Sequence, residues 1–137
     1  MKINHLGIAV RSLENSVPIF EKIFGVKAGE TEYVSEQRVN VRKLCIENCN
    51  IELLEGTSPD SPITKFIKKK GEGIHHCSFQ VSNIAKFLNK LKEEGVSLID
   101  ETPRTGADDM LIAFLHPKST AGVLMELTQF KGRKRYE

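Results

Sequence analysis

The sequence lacks any apolar run close to the roughly 20 residues that a transmembrane helix needs. It also lacks the apolar segment and cleavage site of a secretion signal, so we expect a cytoplasmic protein with no membrane partner. The sequence also has no large excess of positive or negative charge, because 20 basic and 18 acidic residues leave a net charge of +2. Charge therefore gives no reason to expect a nucleic-acid partner.

Cysteine is scarce, with three residues in the chain. An odd number without an export signal favours reduced thiols over a disulfide framework. Cys45 and Cys49 are not followed by a second close pair, so a zinc knuckle is not indicated. We interpret all three cysteines as packing or hairpin residues.

Two short stretches share a pattern that alternates between polar or small and apolar side chains. In the first, His5, Gly7 and Ala9 share one strand face, because strand side chains alternate with a period of two. In the second, His76 and Ser78 share a face in the same way. Each pattern is typical of a half-buried strand that turns a histidine either to water or into a cavity.

The elements after each histidine follow the same order, which indicates an internal repeat of about 71 residues. We predict an α+β fold in which two tandem βαβββ modules form one cupped mixed sheet, with a metal site in its trough. Together they form a single domain. Module 1 covers about 1–57, a linker helix about 58–72, module 2 about 73–130 and a basic tail 131–137.

Capping residues and periodicity predict the element bounds. The predicted helices are 13–24, 62–70 and 84–94, and the predicted strands are 3–10, 30–35, 39–46, 51–55, 73–81, 96–98, 110–115 and 123–128. Pro18 lies inside the first helix, which should begin late or bend there. A hairpin that pairs Ile46 with Ile51 would place Glu52 opposite Cys45.

Each module also has a glutamate in its last strand, at Glu52 and Glu126. If the modules are related by an approximate two-fold axis, these carboxylates can meet the imidazoles of His5 and His76. Two imidazoles and two carboxylates suit a divalent transition ion and leave positions open for water or substrate. The alternatives are a hydrogen-bonded strand histidine and a surface carboxylate, and we interpret His75 as structural, on the opposite face from its neighbour.

These residues resemble the vicinal oxygen chelate superfamily and, within it, the methylmalonyl-CoA epimerases. The similarity extends over nearly the whole chain. The segments that carry it include 5–10, 36–37, 51–55, 60–63, 65–66, 73–76, 98–101, 116–120 and 122–127.

The resemblance implies His5, Glu52, His76 and Glu126 as ligands of a divalent metal ion: cobalt, zinc, nickel, manganese or magnesium. It also implies an acyl-CoA substrate, removal and return of the proton alpha to the thioester, and a metal that stabilises the enolate. A homodimer is compatible with it.

Each face of the alpha carbon requires a base in this mechanism. The resemblance implies Glu126 as one base. For the other, Val41 occupies the position where similar sequences place a glutamate, so we predict Glu36, with a solvent-exposed loop acid as the alternative. Lys43 shares the predicted inward face.

Two other functions remain open at this point. One is a glyoxalase I-type lactoylglutathione lyase. With glutamate at position 52, the implied ligand set resembles that of glyoxalase I more closely than it would with glutamine. The other is a non-catalytic small-molecule binding protein of the same fold.

Overall fold

The structure is a computed structural model and describes residues 1–131. The predicted basic tail therefore lies outside the described residues, except for Lys131. The strands are β1 (Lys2–Ala9), β2 (Glu32–Val34), β3 (Val39–Cys45), β4 (Asn50–Gly56), β5 (Gly73–Gln80), β6 (Arg104–Thr105), β7 (Leu111–Phe114) and β8 (Met125–Gln129). The helices are α1 (Leu13–Phe24), α2 (Pro62–Lys70) and α3 (Ile84–Glu93), and short 3-10 turns occupy Ala107–Asp109 and Pro117–Ser119.

The predicted α+β class and the repeat of βαβββ modules are confirmed. In the first module β1 runs parallel to β4, and β4, β3 and β2 follow as antiparallel neighbours. In the second module β5 runs parallel to β8, and β8, β7 and β6 follow in the same way.

Capping residues lie at the helix ends that the sequence predicts. Ser12 accepts a hydrogen bond from the Asn15 amide at the start of α1, and Gly25 ends that helix with a positive φ of 70°. Asn83 accepts from the Lys86 amide in the same way at α3. Because such caps satisfy backbone groups that the helix leaves open, they set where each helix starts and stops.

Helix α1 runs through Pro18, where the sequence predicts a late start or a bend. The residue lies in the second turn, so its missing N–H removes one hydrogen bond near the start of the helix. The apolar face still packs, with Leu13 and Val17 buried. Packing therefore overrides the local preference at this position.

Each module has its own apolar core between its helix and one face of its strands. The first consists of buried residues from α1, β3 and β4 and the residue that follows β1: Val10, Leu13, Val17, Leu44, Ile51 and Leu53. The second consists of buried residues from α3, β7 and β8 and the segment after β7: Ile84, Leu88, Ala113, Leu115 and Leu127. Chain packing also groups His5–His76 as one compact unit and Met1–Asn4 with the described residues from Cys77 onward as another.

Two sequence predictions about the strands are wrong. The predicted strand 96–98 is reduced to a single bridge between Leu98 and Leu115, and the sixth strand is instead Arg104–Thr105. The hairpin of β3 and β4 places Glu52 opposite Lys43, not Cys45, because Cys45 itself pairs with Asn50. This register differs by two residues from the predicted one, so Glu52 keeps its predicted face.

Among residues 1–131, no helix combines the length and the apolar character that crossing a bilayer requires. All three cysteines are free thiols.

Candidate metal centre

Strand alternation places the four predicted ligand residues on faces that turn away from the helix cores. Ile51 and Leu53 belong to the first core, so Glu52 between them points to the other side of β4. Leu127 belongs to the second core, so Glu126 points away from α3. Both carboxylates are nevertheless buried, with 6% and 5% of their surface exposed. A charge in such a position requires a compensating partner.

The two modules repeat one register around the histidine and the glutamate. In the first, Gly7 of β1 lies beside Glu52 of β4, two residues after His5. In the second, Ser78 of β5 lies beside Glu126 of β8, two residues after His76. In each module the histidine and the glutamate therefore lie on the same face of two parallel neighbouring strands.

The imidazoles of His5 and His76 approach each other through their Nε2 atoms, which are 3.0 Å apart. The ring planes are nearly perpendicular, at 85°, and both side chains are buried. Two nitrogen ligands about 2.1 Å from one ion and a right angle apart would be about 3.0 Å from each other. The spacing thus fits a shared metal ion as well as a hydrogen bond between two neutral rings.

Gly7 leaves the space in which the His76 ring lies. A Cβ atom at position 7 would be 2.6 Å from Nδ1 and 2.8 Å from Nε2 of that ring. Real side chains do not approach so closely, so any residue larger than glycine would displace the imidazole.

Glu52 completes the group in the first module. Its Oε1 atom lies 3.4 Å from Nε2 of His5, and Lys43 lies opposite it in the β3–β4 register. Burial raises the pKa of Glu52 to about 7, while the charge of Lys43 acts in the lowering direction and Glu32 in the raising direction. The carboxyl group can therefore gain or lose its proton near neutral pH.

Both imidazoles are held in the neutral form that binds metals. Burial, with a smaller effect from Lys43, lowers the pKa of His5 to about 4. Burial, followed by the neighbouring His5 and His75, lowers the pKa of His76 well below its usual range. A neutral ring keeps a lone pair available for coordination.

The donor chemistry of these residues fits a metal. His5 and His76 each offer a buried imidazole nitrogen, and Glu126 of the other compact unit offers a buried carboxylate oxygen, which are donor types that divalent metal ions accept. The Ser78 hydroxyl on β5 is fully buried and makes no hydrogen bond to another described residue. That the four residues His5, Glu52, His76 and Glu126 act together as ligands stays a prediction.

His75 lies closer to the chemistry than the sequence indicates. Adjacent strand residues normally face opposite sides, but Nδ1 of His75 is 3.0 Å from Nδ1 of His76. Its ring also meets Phe66 of α2 edge to face, with ring centroids 5.0 Å apart. Two adjacent histidines in the sequence are the signal that could have indicated this contact. Strand alternation alone places His75 on the opposite face and so predicts only a structural role.

The structure places Glu36 in the exposed turn before β3. Val39, at the start of β3, lies opposite Gly56, which is four positions, or about 13 Å, along β4 from Glu52. Lys43, by contrast, lies in the same row as Glu52. The role of Glu36 as second base stays a prediction, and its position in the turn does not support it.

A profile of the Glyoxalase/Bleomycin resistance protein/Dioxygenase superfamily matches residues 4–114 of the chain. The mitochondrial methylmalonyl-CoA epimerase of Dictyostelium discoideum is 39% identical over 93% of this chain and 78% of its own length. A Bacillus subtilis protein of uncharacterised activity, YqjC, is 38% identical over 99% of this chain and 97% of its own.

Solved structures agree with these sequence relationships. A variant of the Streptomyces coelicolor methylmalonyl-CoA epimerase, in complex with 2-nitronate-propionyl-CoA, superimposes with a TM-score of 0.93. That enzyme is 32% identical in sequence, and the match covers 99% of each chain.

Proposed function

Because the chain belongs to the glyoxalase/bleomycin resistance protein/dioxygenase superfamily, we propose that it is a metal-dependent epimerase that interconverts the 2R and 2S forms of methylmalonyl-CoA. The similarity to the epimerases of Dictyostelium discoideum and Streptomyces coelicolor over nearly all of the chain supports this substrate. The single observation that carries the chemistry is the repeated register in which each module sets a buried glutamate beside the second residue after a buried histidine, on the same face of the two strands.

His5, Glu52, His76 and Glu126 would hold the ion in this proposal. Cobalt, zinc, nickel, manganese and magnesium all accept imidazole or carboxylate ligands, so the donor set limits the choice to divalent ions of this kind. When bound, the ion supplies positive charge that favours an enolate over a neutral thioester.

Glu126 acts as one base. Its buried carboxylate takes the proton from the alpha carbon, and the electrons of the broken C–H bond move to the thioester carbonyl. Because Glu126 is also a ligand in this proposal, proton transfer and metal binding share one residue.

The opposite face of the alpha carbon requires a second group that returns the proton. Glu36 is the predicted base, and Lys43 is the alternative, because it lies in the row of Glu52 and its charge acts on both Glu52 and His5. Glu36→Gln and Lys43→Met separate them: the variant that loses interconversion of the 2R and 2S forms, while Glu126 still exchanges the alpha proton, identifies the group. Activity of Glu36→Gln within a fewfold of wild type would remove Glu36 from the mechanism.

The proposal is tested by exchange of the alpha proton in heavy water. Protein loaded with Co²⁺ is mixed with methylmalonyl-CoA, and loss of the alpha-proton signal is followed by NMR against a sample that contains the metal alone. We expect exchange with wild type and a loss of about 10²-fold or more in Glu126→Gln, which keeps the size of the side chain but cannot accept the proton. Glu94→Gln, at the exposed end of α3, is the matched control and should exchange at the wild-type rate.

No exchange above the metal-only sample would overturn the proposal. The same protein should then be tested with the hemithioacetal of methylglyoxal and glutathione, because Glu52 gives the ligand set that resembles glyoxalase I. If neither substrate reacts and no metal is retained, the binding-protein alternative gains support.

A further inference from the structure

The ring of His75 is held in a fixed position beside His76. Phe66 from α2 contacts it edge to face, and the Lys70 ammonium lies 5.9 Å from the centroid of the Phe66 ring. On its other side, the His75 ring makes a second perpendicular contact, with the His76 ring at 5.2 Å between centroids. The linker helix therefore contributes to the position of a residue that touches the candidate metal centre.

The two close nitrogen contacts of His76 constrain its tautomer. Nε2 faces Nε2 of His5, and Nδ1 faces Nδ1 of His75, each at 3.0 Å. A neutral imidazole carries one proton, on one of its two nitrogens. If Nε2 binds a metal ion, the proton must be on Nδ1, and His75 must then accept it.

We infer that His75 is a positioning residue, whose Nδ1 accepts a hydrogen bond from Nδ1–H of His76 and so keeps the Nε2 lone pair of His76 directed at the metal. This inference rests on the proposed function. Histidine ligands commonly donate their second N–H to a fixed acceptor, and loss of that acceptor costs about 10–100-fold in metal affinity. Here the acceptor is the preceding residue in the chain.

Two substitutions of His75 separate hydrogen bonding from packing. His75→Asn retains an acceptor near the position of Nδ1 but removes the aromatic ring that contacts Phe66. His75→Phe retains a ring for that contact but removes the acceptor. A residue that serves only packing would tolerate phenylalanine better, whereas an acceptor would tolerate asparagine better.

The first measurement is the dissociation constant for Co²⁺ alone, determined by titration of metal-free protein, with thermal unfolding as a check on folding. We expect His75→Phe to bind Co²⁺ about 10–100-fold more weakly than wild type and His75→Asn to stay within about threefold. Equal affinity of all three proteins, or weaker binding by His75→Asn than by His75→Phe, would overturn the inference.

The second measurement is nitrogen NMR of ¹⁵N-histidine-labelled protein without metal and with Zn²⁺. We expect the His76 proton on Nδ1 in wild type and His75→Asn, and a changed distribution in His75→Phe. If wild type binds neither metal, the proposed function fails, and the metal-free spectra still test the hydrogen bond. If the His76 nitrogen signals are the same in wild type and both His75 variants, the inferred hydrogen bond from His76 to His75 is wrong.

Discussion

The His76 imidazole lies in the space that the missing side chain of Gly7 leaves on β1. The two residues are far apart in sequence, and each lies on the first strand of its module. Gly7 is also the backbone partner of Glu52 in the parallel register, so one small residue lies beside the His76 imidazole and beside the backbone that carries Glu52.

Gly7→Ala should therefore weaken metal binding and stability together. The added Cβ would overlap the His76 ring, and overpacking of a buried site costs about 1–3 kcal/mol. We expect a lower unfolding midpoint in denaturant and Co²⁺ affinity at least about tenfold weaker. Gly29→Ala is the control, because a Cβ there would meet only the Lys43 carbonyl at an ordinary 3.7 Å. If Gly7→Ala and Gly29→Ala show the same unfolding midpoint and the same Co²⁺ affinity, the His76 ring does not require the space at Gly7.

His5→Ala and His76→Ala should each reduce retained metal. Each removes a buried imidazole whose Nε2 lies 3.0 Å from the other, so we expect more than about 100-fold weaker Co²⁺ binding. Elemental analysis after dialysis measures the retained ion. His116→Ala, in an exposed turn, is the matched control and should retain as much metal as wild type.

The stability of metal-free protein should depend on Glu52. Because burial raises its pKa from 4.5 to about 7, the folded state holds this proton more tightly than the unfolded state. Stability from this group is therefore present below about pH 4.5 and is lost as the pH rises toward 7, by about 3 kcal/mol in all. Glu52→Gln removes this loss, so its advantage over wild type should grow from pH 5 to pH 8 in urea unfolding. A constant difference across that range would contradict the assigned pKa.

Lys43→Met should shift the pH dependence of metal binding upward. Lys43 lowers the pKa of Glu52, so its removal should make that carboxyl group harder to deprotonate. Because a metal must displace this proton, the pH midpoint for Co²⁺ binding should rise. Lys69→Met, on the exposed side of α2, removes the same charge elsewhere and should leave the midpoint unchanged. An unchanged midpoint in Lys43→Met would show that its charge does not act on Glu52.

Much of the fold follows from local sequence signals. Ser12, Ser61 and Asn83 precede apolar periodic stretches and cap the three helices. The alternation around His5 and His76 indicates the first strand of each module, and the repeat interval indicates that the modules share one topology. The predicted strand at 96–98 is wrong, because three residues are too few to show an alternation with a period of two.

The sequence by itself determined which side chains carry the candidate chemistry, because two histidines and two glutamates recur at equivalent places in a repeat. Only the tertiary structure decided how they meet. Register depends on hydrogen bonds between strands distant in sequence, which set Glu52 opposite Lys43 and not Cys45. The contact between His75 and His76 depends on ring orientations that Phe66 of α2 helps to fix, and alternation along one strand does not encode such orientations.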